Sequence, residues 1–216
     1  MQASPEEFQG KRERTRNAII RAATRLIAEK GLDASSIDDL MATAGMARGT
    51  FYNYFQDREE VLHAVIADVQ KALVCQVVNL IPPHHTPEKT VACMMYGYLQ
   101  FCEDHPDIGA ALLRIGGFSP WVSEQESAKR GFSPVDQALL SLCANRVSFT
   151  TARSYLEGLA NTLLCHRLAG RFSDRHVDEM MALSLRGIGV DEEAIQGVIL
   201  DARTFADTHV SGRVPG

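Results

Sequence analysis

SSIDDLMATAGMARGTFYNYFQDREEVL, residues 35–62, decides how this chain is read. Ser36 stands three positions ahead of Asp39, the spacing of a capping box. In that arrangement a serine hydroxyl accepts from a free helix-terminal amide while the carboxylate reaches back. The segment IDDLMATA that follows is closed by Gly45, a residue able to take the left-handed conformation that ends a helix. The spacing predicts a further short helix over residues 47–54, with Asp57 as the cap of a long helix over 57–80. That helix carries Val61, Leu62, Val65, Ile66, Val69, Leu73, Val77 and Leu80 and must stop before Pro82 and Pro83. Upstream, Ile19, Ile20, Ala23, Leu26 and Ile27 recur at three and four over residues 12–30, with Gly31 placed as the stop.

Three N-terminal helices with a glycine turn between the second and third have the arrangement of a helix-turn-helix. The third helix of such a motif presents the side chains nearest its N-terminus to base edges in a major groove. Here Phe51 and Phe55, four apart, share an inward face, which leaves Arg48, Thr50, Tyr52 and Tyr54 on the other. Arg48 has the donors to meet guanine O6 and N7, and Gly49 lets backbone approach the groove closely. Thr50 offers a hydroxyl to phosphate or a methyl to thymine, and each tyrosine joins an apolar ring to a donor hydroxyl. Ser36 and the amides behind it suit a phosphate, and Arg58 suits one from the other side.

Over residues 12–62 the chain resembles the DNA-binding signature of the tetracycline-repressor (TetR) family. By that resemblance Ser36 matches a backbone-contacting position, Arg48, Gly49 and Tyr52 match base-reading positions, Thr50 and Tyr54 phosphate-contacting ones, and Arg58 a basic phosphate anchor. Ala47 departs from the pattern, standing where the family usually has a capping serine or threonine, a loss of about 1 kcal/mol. The resemblance implies an all-α homodimer. A helix-turn-helix DNA-binding domain over residues 1–57 would be joined to a larger helical ligand-binding and dimerisation domain over 58–216. It further implies a repressor that binds a pseudo-palindromic, double-stranded DNA operator and is released by a small-molecule effector.

Beyond the double proline, helices are expected over 88–102, 107–115, 135–145, 151–168, 174–185 and 191–205, with an irregular stretch over 116–134 and a frayed tail from residue 207. LRGIGVDEEA, residues 185–194, resembles the end of the family's penultimate helix and its turn. The helices over 151–168 and 174–185 are expected to form the dimer contact, the first through a broad apolar face of Leu156, Leu159, Leu163, Leu164 and Leu168, the alternative being that this face only closes the core. Tyr98, Phe118 and Trp121 are candidates for an apolar ligand cavity, although such residues more often belong to the core.

The 216 residues carry 22 Lys and Arg against 27 Asp and Glu, a balance that by itself speaks against a polyanionic partner. Position qualifies it. Residues 10–30 hold seven basic and two acidic side chains, although residues 1–60 as a whole hold nine basic and ten acidic. The run Lys11, Arg12, Arg14, Arg16 opposes the dipole at a helix start and calls for another explanation. Five cysteines, Cys75, Cys93, Cys102, Cys143 and Cys165, never fall in a CxxC pair, and His84 and His85 have no ligand partner at metal spacing. Neither a metal nor a cofactor is expected. With no secretory leader pattern and no stretch near ~20 apolar residues, a cytoplasmic protein away from membranes is expected. The rival reading, an all-helical enzyme or carrier for an apolar metabolite, finds no GxSxG, P-loop, HExxH or GxGxxG pattern, so no catalytic residue is assigned.

Overall fold

The computed structural model describes residues 5–31, 36–115, 133–143 and 147–212, and among them every regular element is helical. In chain order these are α1 (Pro5–Lys30), α2 (Ile37–Thr43), α3 (Arg48–Phe51), α4 (Arg58–Gln76), α5 (Pro87–Asp104), α6 (Pro106–Ile115), α7 (Pro134–Cys143), α8 (Phe149–Leu168), α9 (Asp174–Gly187) and α10 (Glu192–Phe205). A 3-10 turn, Val78–Leu80, follows α4, and a π-helical segment, Ala206–Val210, follows α10. Proline opens α5, α6 and α7, where its missing N–H has no helical partner to lose. Gly31, Gly45 and Gly189, at φ +83°, +67° and +93°, turn the chain after α1, α2 and α9.

Helix α1 packs along α6 and against α2 and α4, so the N-terminal motif rests directly on the rest of the molecule. Helix α5 is the axle of the C-terminal part. Val91, Ala92, Cys93, Tyr98, Phe101 and Cys102 are all buried on it, and α6, α7, α8 and α10 surround it. A helix apolar on nearly every side belongs in the middle of a core.

Four expectations need correction. The long helix stops at Gln76 rather than continuing to Leu80, because Val77 (φ −124°, ψ −66°) leaves helical geometry. Its side chain presses onto Gly97 of α5, where an added Cβ would lie 2.5 Å from Val77 Cγ1. The tail is packed rather than frayed as far as Gly212: Val210 is buried and the Gly212 amide donates to Asp104 at 2.7 Å. On α8, Leu156, Leu159, Leu163 and Leu164 point into this chain's own core, so the face open to a partner is the opposite one, carrying Tyr155, Gly158, Thr162 and Cys165. Finally, Arg58–Leu80 is long and apolar enough to cross a membrane by length and composition, at a mean hydropathy of 1.5. Its Val61, Val65, Val69 and Leu73 are nevertheless buried against the core.

A polar cleft of about 190 Å³ opens among α5, α8, α9 and α10. Arg167 pairs with Glu103 and, at 2.7 Å, with Asp174. Arg203 pairs with Asp178 at 2.8 Å, which in turn accepts from the Tyr96 hydroxyl at 2.5 Å. These residues come from four helices up to a hundred positions apart, so the ion-pair network ties the helices together in a way no local pattern foreshadows.

Candidate nucleic-acid interface

The motif is built from its caps. Ser36 is the N-cap of α2, its hydroxyl accepting from the Asp39 amide at 3.0 Å and donating to the Asp39 carboxylate at 2.6 Å. The same carboxylate accepts from the Ser36 amide, completing the capping box, and Lys30 lies 3.4 Å from its other oxygen. The Ser36 hydroxyl, its amide and then Lys30 hold the Asp39 carboxyl below its ordinary range. Asp57 caps α4 in the same manner, accepting from the Glu60 amide at 2.8 Å, while the Glu60 carboxylate reaches back to the Gln56 amide at 2.6 Å.

Helix α3 is shorter than the eight residues the pattern predicts. Its regular turn covers Arg48–Phe51, and the chain tightens after it: the amides of Asn53 and Tyr54 bond three residues back to Thr50 and Phe51. That tightening brings the Phe55 ring to 5.9 Å from Phe51, and both rings are almost wholly buried, as their spacing implies. Ala47 is the N-cap and supplies no side-chain bond, the consequence expected of its departure from the family pattern.

With Phe51 as anchor, the rest of α3 turns outward. Arg48 and Gly49 are exposed, Tyr52 is 56% exposed, and Thr50 and Tyr54 are half-buried. The Arg48 guanidinium lies 2.7 Å from the Asp38 carboxylate and next to the Tyr52 hydroxyl. Tyr52 first and Asp38 second favour its charged form. At Gly49 an added Cβ would meet nothing within 4 Å. Ser36 and Arg58, twenty-two positions apart, rim one small hollow floored by Leu26, Leu40 and Val61, so the two candidate phosphate anchors share a surface.

The basic run on α1 has a local role. Arg12 lies over the Tyr54 ring at 5.9 Å and donates to the Asn53 carbonyl at 3.5 Å, while Arg16 lies over Phe55 at 5.2 Å. These contacts fasten α1 to the end of the third helix. Because α1 begins at Pro5 rather than near residue 12, the basic run lies beyond its first turn and the dipole does not bear on it. Two further residues escaped sequence reading. Asp38 was one, hidden as an ordinary first-turn acid. The other is Arg114 of α6, which donates to the carbonyls of Ala28 and Glu29 at 2.9 and 3.4 Å and so caps the end of α1. Its partners are some 85 residues away, beyond any local signal.

Of the cavity candidates, Tyr98 is buried with its hydroxyl beside the Cys102 thiol, and burial raises the pKa of both groups, that of Cys102 to about 12. Phe118 and Trp121 lie outside the described residues. Among the described residues no group of three or more His, Cys, Asp or Glu is placed to hold a metal. Two of the histidines stack on one ring: His166 on Phe172 at 4.4 Å, and Phe172 on His176.

Residues 19–65 match the family model of bacterial regulatory proteins of the tetR family. Over 61 residues the chain is 43% identical to the uncharacterized HTH-type transcriptional regulator YvdT of Bacillus subtilis (strain 168). That match spans 28% of this chain and 29% of YvdT. The fold is similar to that of CprB from Streptomyces coelicolor, a TetR family protein solved with its operator sequence. The TM-score is 0.60 at 21% identity, covering 91% of this chain and 98% of that one. RolR, solved with the ligand resorcinol, is similar at TM-score 0.56 and 26% identity, covering 93% and 97%.

Proposed function

We propose, on the match of residues 19–65 to its model, that the chain is a member of the tetR family of bacterial regulatory proteins. On that premise we propose that it is a transcriptional repressor, acting in the cytoplasm, that binds a pseudo-palindromic DNA operator as a homodimer and is released by a small molecule. The observation that carries this reading is the first turn of α3. Phe51 and Phe55 fix it to the core while Arg48, Gly49 and Tyr52 are turned to solvent.

Residues 1–57 act as the DNA-binding domain and 58–216 as the effector-binding and dimerisation domain. In this assignment Arg48, Gly49 and Tyr52 read bases, Thr50 and Tyr54 touch phosphate, and Ser36 and Arg58 anchor the backbone. The Ser36 hydroxyl already donates its one proton to Asp39 and accepts from the Asp39 amide, so the anchoring at this position falls to the backbone amides at the start of α2, with Ser36 fixing their direction as the cap. Two copies are needed to present recognition helices about 34 Å apart. The exposed faces of α8 and α9 supply the surface for that pairing, with Tyr155 lying over Gly187 and Leu183, 58% exposed, among the charged Arg175, Glu179 and Arg186. RolR binds resorcinol, which supports an aromatic-lined effector site here, with Tyr98, Phe118 and Trp121 as its candidates. An effector that favours one arrangement of the C-terminal helices shifts the population of dimers whose spacing matches the operator.

Electrophoretic mobility shifts with DNA from upstream of the protein's own gene, and with a selected random pool, test the reading. Salt-sensitive, sequence-dependent binding is expected, and its absence from both overturns it. Arg48→Ala should relax base preference, whereas Arg58→Ala should weaken all sequences alike and flatten the log–log salt slope by about one. Identical behaviour of the two variants would remove the division into reader and anchor.

A further inference from the structure

Arg48 and Asp38 lie on different helices of the motif yet meet across its turn, Nη1 donating to Oδ2 at 2.7 Å with the side chains 60% and 61% exposed. A pair so open to water adds little to the stability of the fold. Its location is also costly for a surface that meets a polyanion, because Asp38 brings a negative charge toward the phosphates. The dipole of α2 accounts for an acid in its first turn, but Asp39 already supplies the capping carboxylate, and nothing in the cap requires Asp38 to reach toward α3. The Tyr52 hydroxyl, at the C-cap of α3, interacts with the same guanidinium.

We infer that Asp38 is a positioning residue that sets base specificity: through its ion pair with Arg48 it holds the guanidinium for a guanine edge and away from phosphate. This rests on the reading of α3 as the DNA-contacting helix. Two physical effects act together. A long arginine side chain that is already confined loses less rotamer freedom on docking, so the bound geometry is prepared in the free protein. The carboxylate also offsets the guanidinium charge, lowering its attraction to any phosphate. The N–H groups that do not face Asp38 keep their direction for the paired acceptors O6 and N7 of guanine. Adenine places an amino donor at one of those two positions and is rejected.

The test uses the full chain and a random duplex pool, selected with the native protein, Asp38→Ala, Asp38→Asn, Arg48→Ala and the Asp38→Ala/Arg48→Ala pair. Circular dichroism and thermal unfolding establish that each variant folds. Failure of the native protein to select any sequence removes the DNA-reading proposal itself, and this inference with it. Given a selected operator, Arg48→Ala should abolish guanine preference at one base pair of each half-site. Both Asp38 variants should lower the preference at that same pair about tenfold while raising affinity for unrelated DNA. The double variant should be no worse than Arg48→Ala alone, since the two residues act as one unit. Unaltered guanine preference with a uniform gain in affinity would overturn the inference and leave Asp38 as a damping charge. Loss of preference at a different base pair would overturn it in favour of direct reading by Asp38.

Discussion

Gly49 is one of four glycines, with Gly10, Gly158 and Gly197, whose residue type the chain itself does not explain. It does not adopt a positive φ, and a Cβ would meet nothing within 4 Å, so neither backbone strain nor packing calls for glycine. On the proposed reading of α3 as the DNA-contacting helix, close approach of the backbone to a major groove accounts for glycine at this one of the four. Gly49→Ala should therefore leave thermal stability unchanged or raise it by up to ~1 kcal/mol through helix propensity. Operator affinity should fall about tenfold, the equivalent of ~1.4 kcal/mol. Thermal unfolding and a mobility-shift titration on the same preparation separate the two, and unchanged affinity would show that the glycine does not serve a close approach.

Short helices such as α2 depend on their ends more than on their middles, since few backbone hydrogen bonds are available to hold seven residues. The capping box of Ser36 and Asp39 therefore governs whether the helix before the recognition turn is formed. Because the folded state depresses the Asp39 carboxyl below its ordinary value of 3.8, the cap contributes fully above that pH. The contribution is lost as pH falls through the depressed value. Amide hydrogen exchange should show the Asp39 N–H losing protection on acidification below about pH 4. Asp39→Asn should remove that pH dependence, and a protection profile flat through the carboxylate range would contradict the assignment. Helix α3 is shorter still, and Phe51 and Phe55 rather than a cap hold it in place.

The helices meet most closely at Gly97, where the end of α4, the end of α10 and the π-helical tail converge on α5. Val77 Cγ1 lies 2.5 Å from where a Cβ would stand, with Phe205 and Val210 at 3.5 Å. Gly97→Ala must displace Val77, the residue that turns the chain out of α4. It should cost about 1–3 kcal/mol by overpacking, read as a lowered denaturant midpoint at unchanged slope. An unchanged midpoint would mean that the junction yields without strain. The outer face of α8 and α9 behaves oppositely. Leu183 stands 58% exposed in the chain, so Leu183→Glu should hardly alter the unfolding midpoint of the monomer. If that face joins two copies, sedimentation velocity should show the dimer dissociating and operator affinity should fall with it, whereas a dimer that survives the substitution would place the interface elsewhere.

Much of this protein was legible before any coordinates. The helical class, the stops at Gly31 and Gly45, the caps at Ser36 and Asp57 and the inward turn of Phe51 and Phe55 all follow from interactions within a few positions. Local spacing is sufficient to display such interactions. The tertiary structure decided what local spacing leaves equivalent. An apolar row on α8 serves a core or a partner equally well until neighbours cover one side. Val77 reads as another turn of helix until Gly97 draws it in. Val210 reads as tail until the floor of α5 receives it. Arg114 reaches α1 across some 85 positions, and Asp38 engages Arg48 across a turn, because chain folding alone brings those groups together. The sequence by itself thus determined which residues form the helix-turn-helix motif. Only the packed molecule decided how that motif is fastened to the helices behind it, because those contacts join groups that no local period relates.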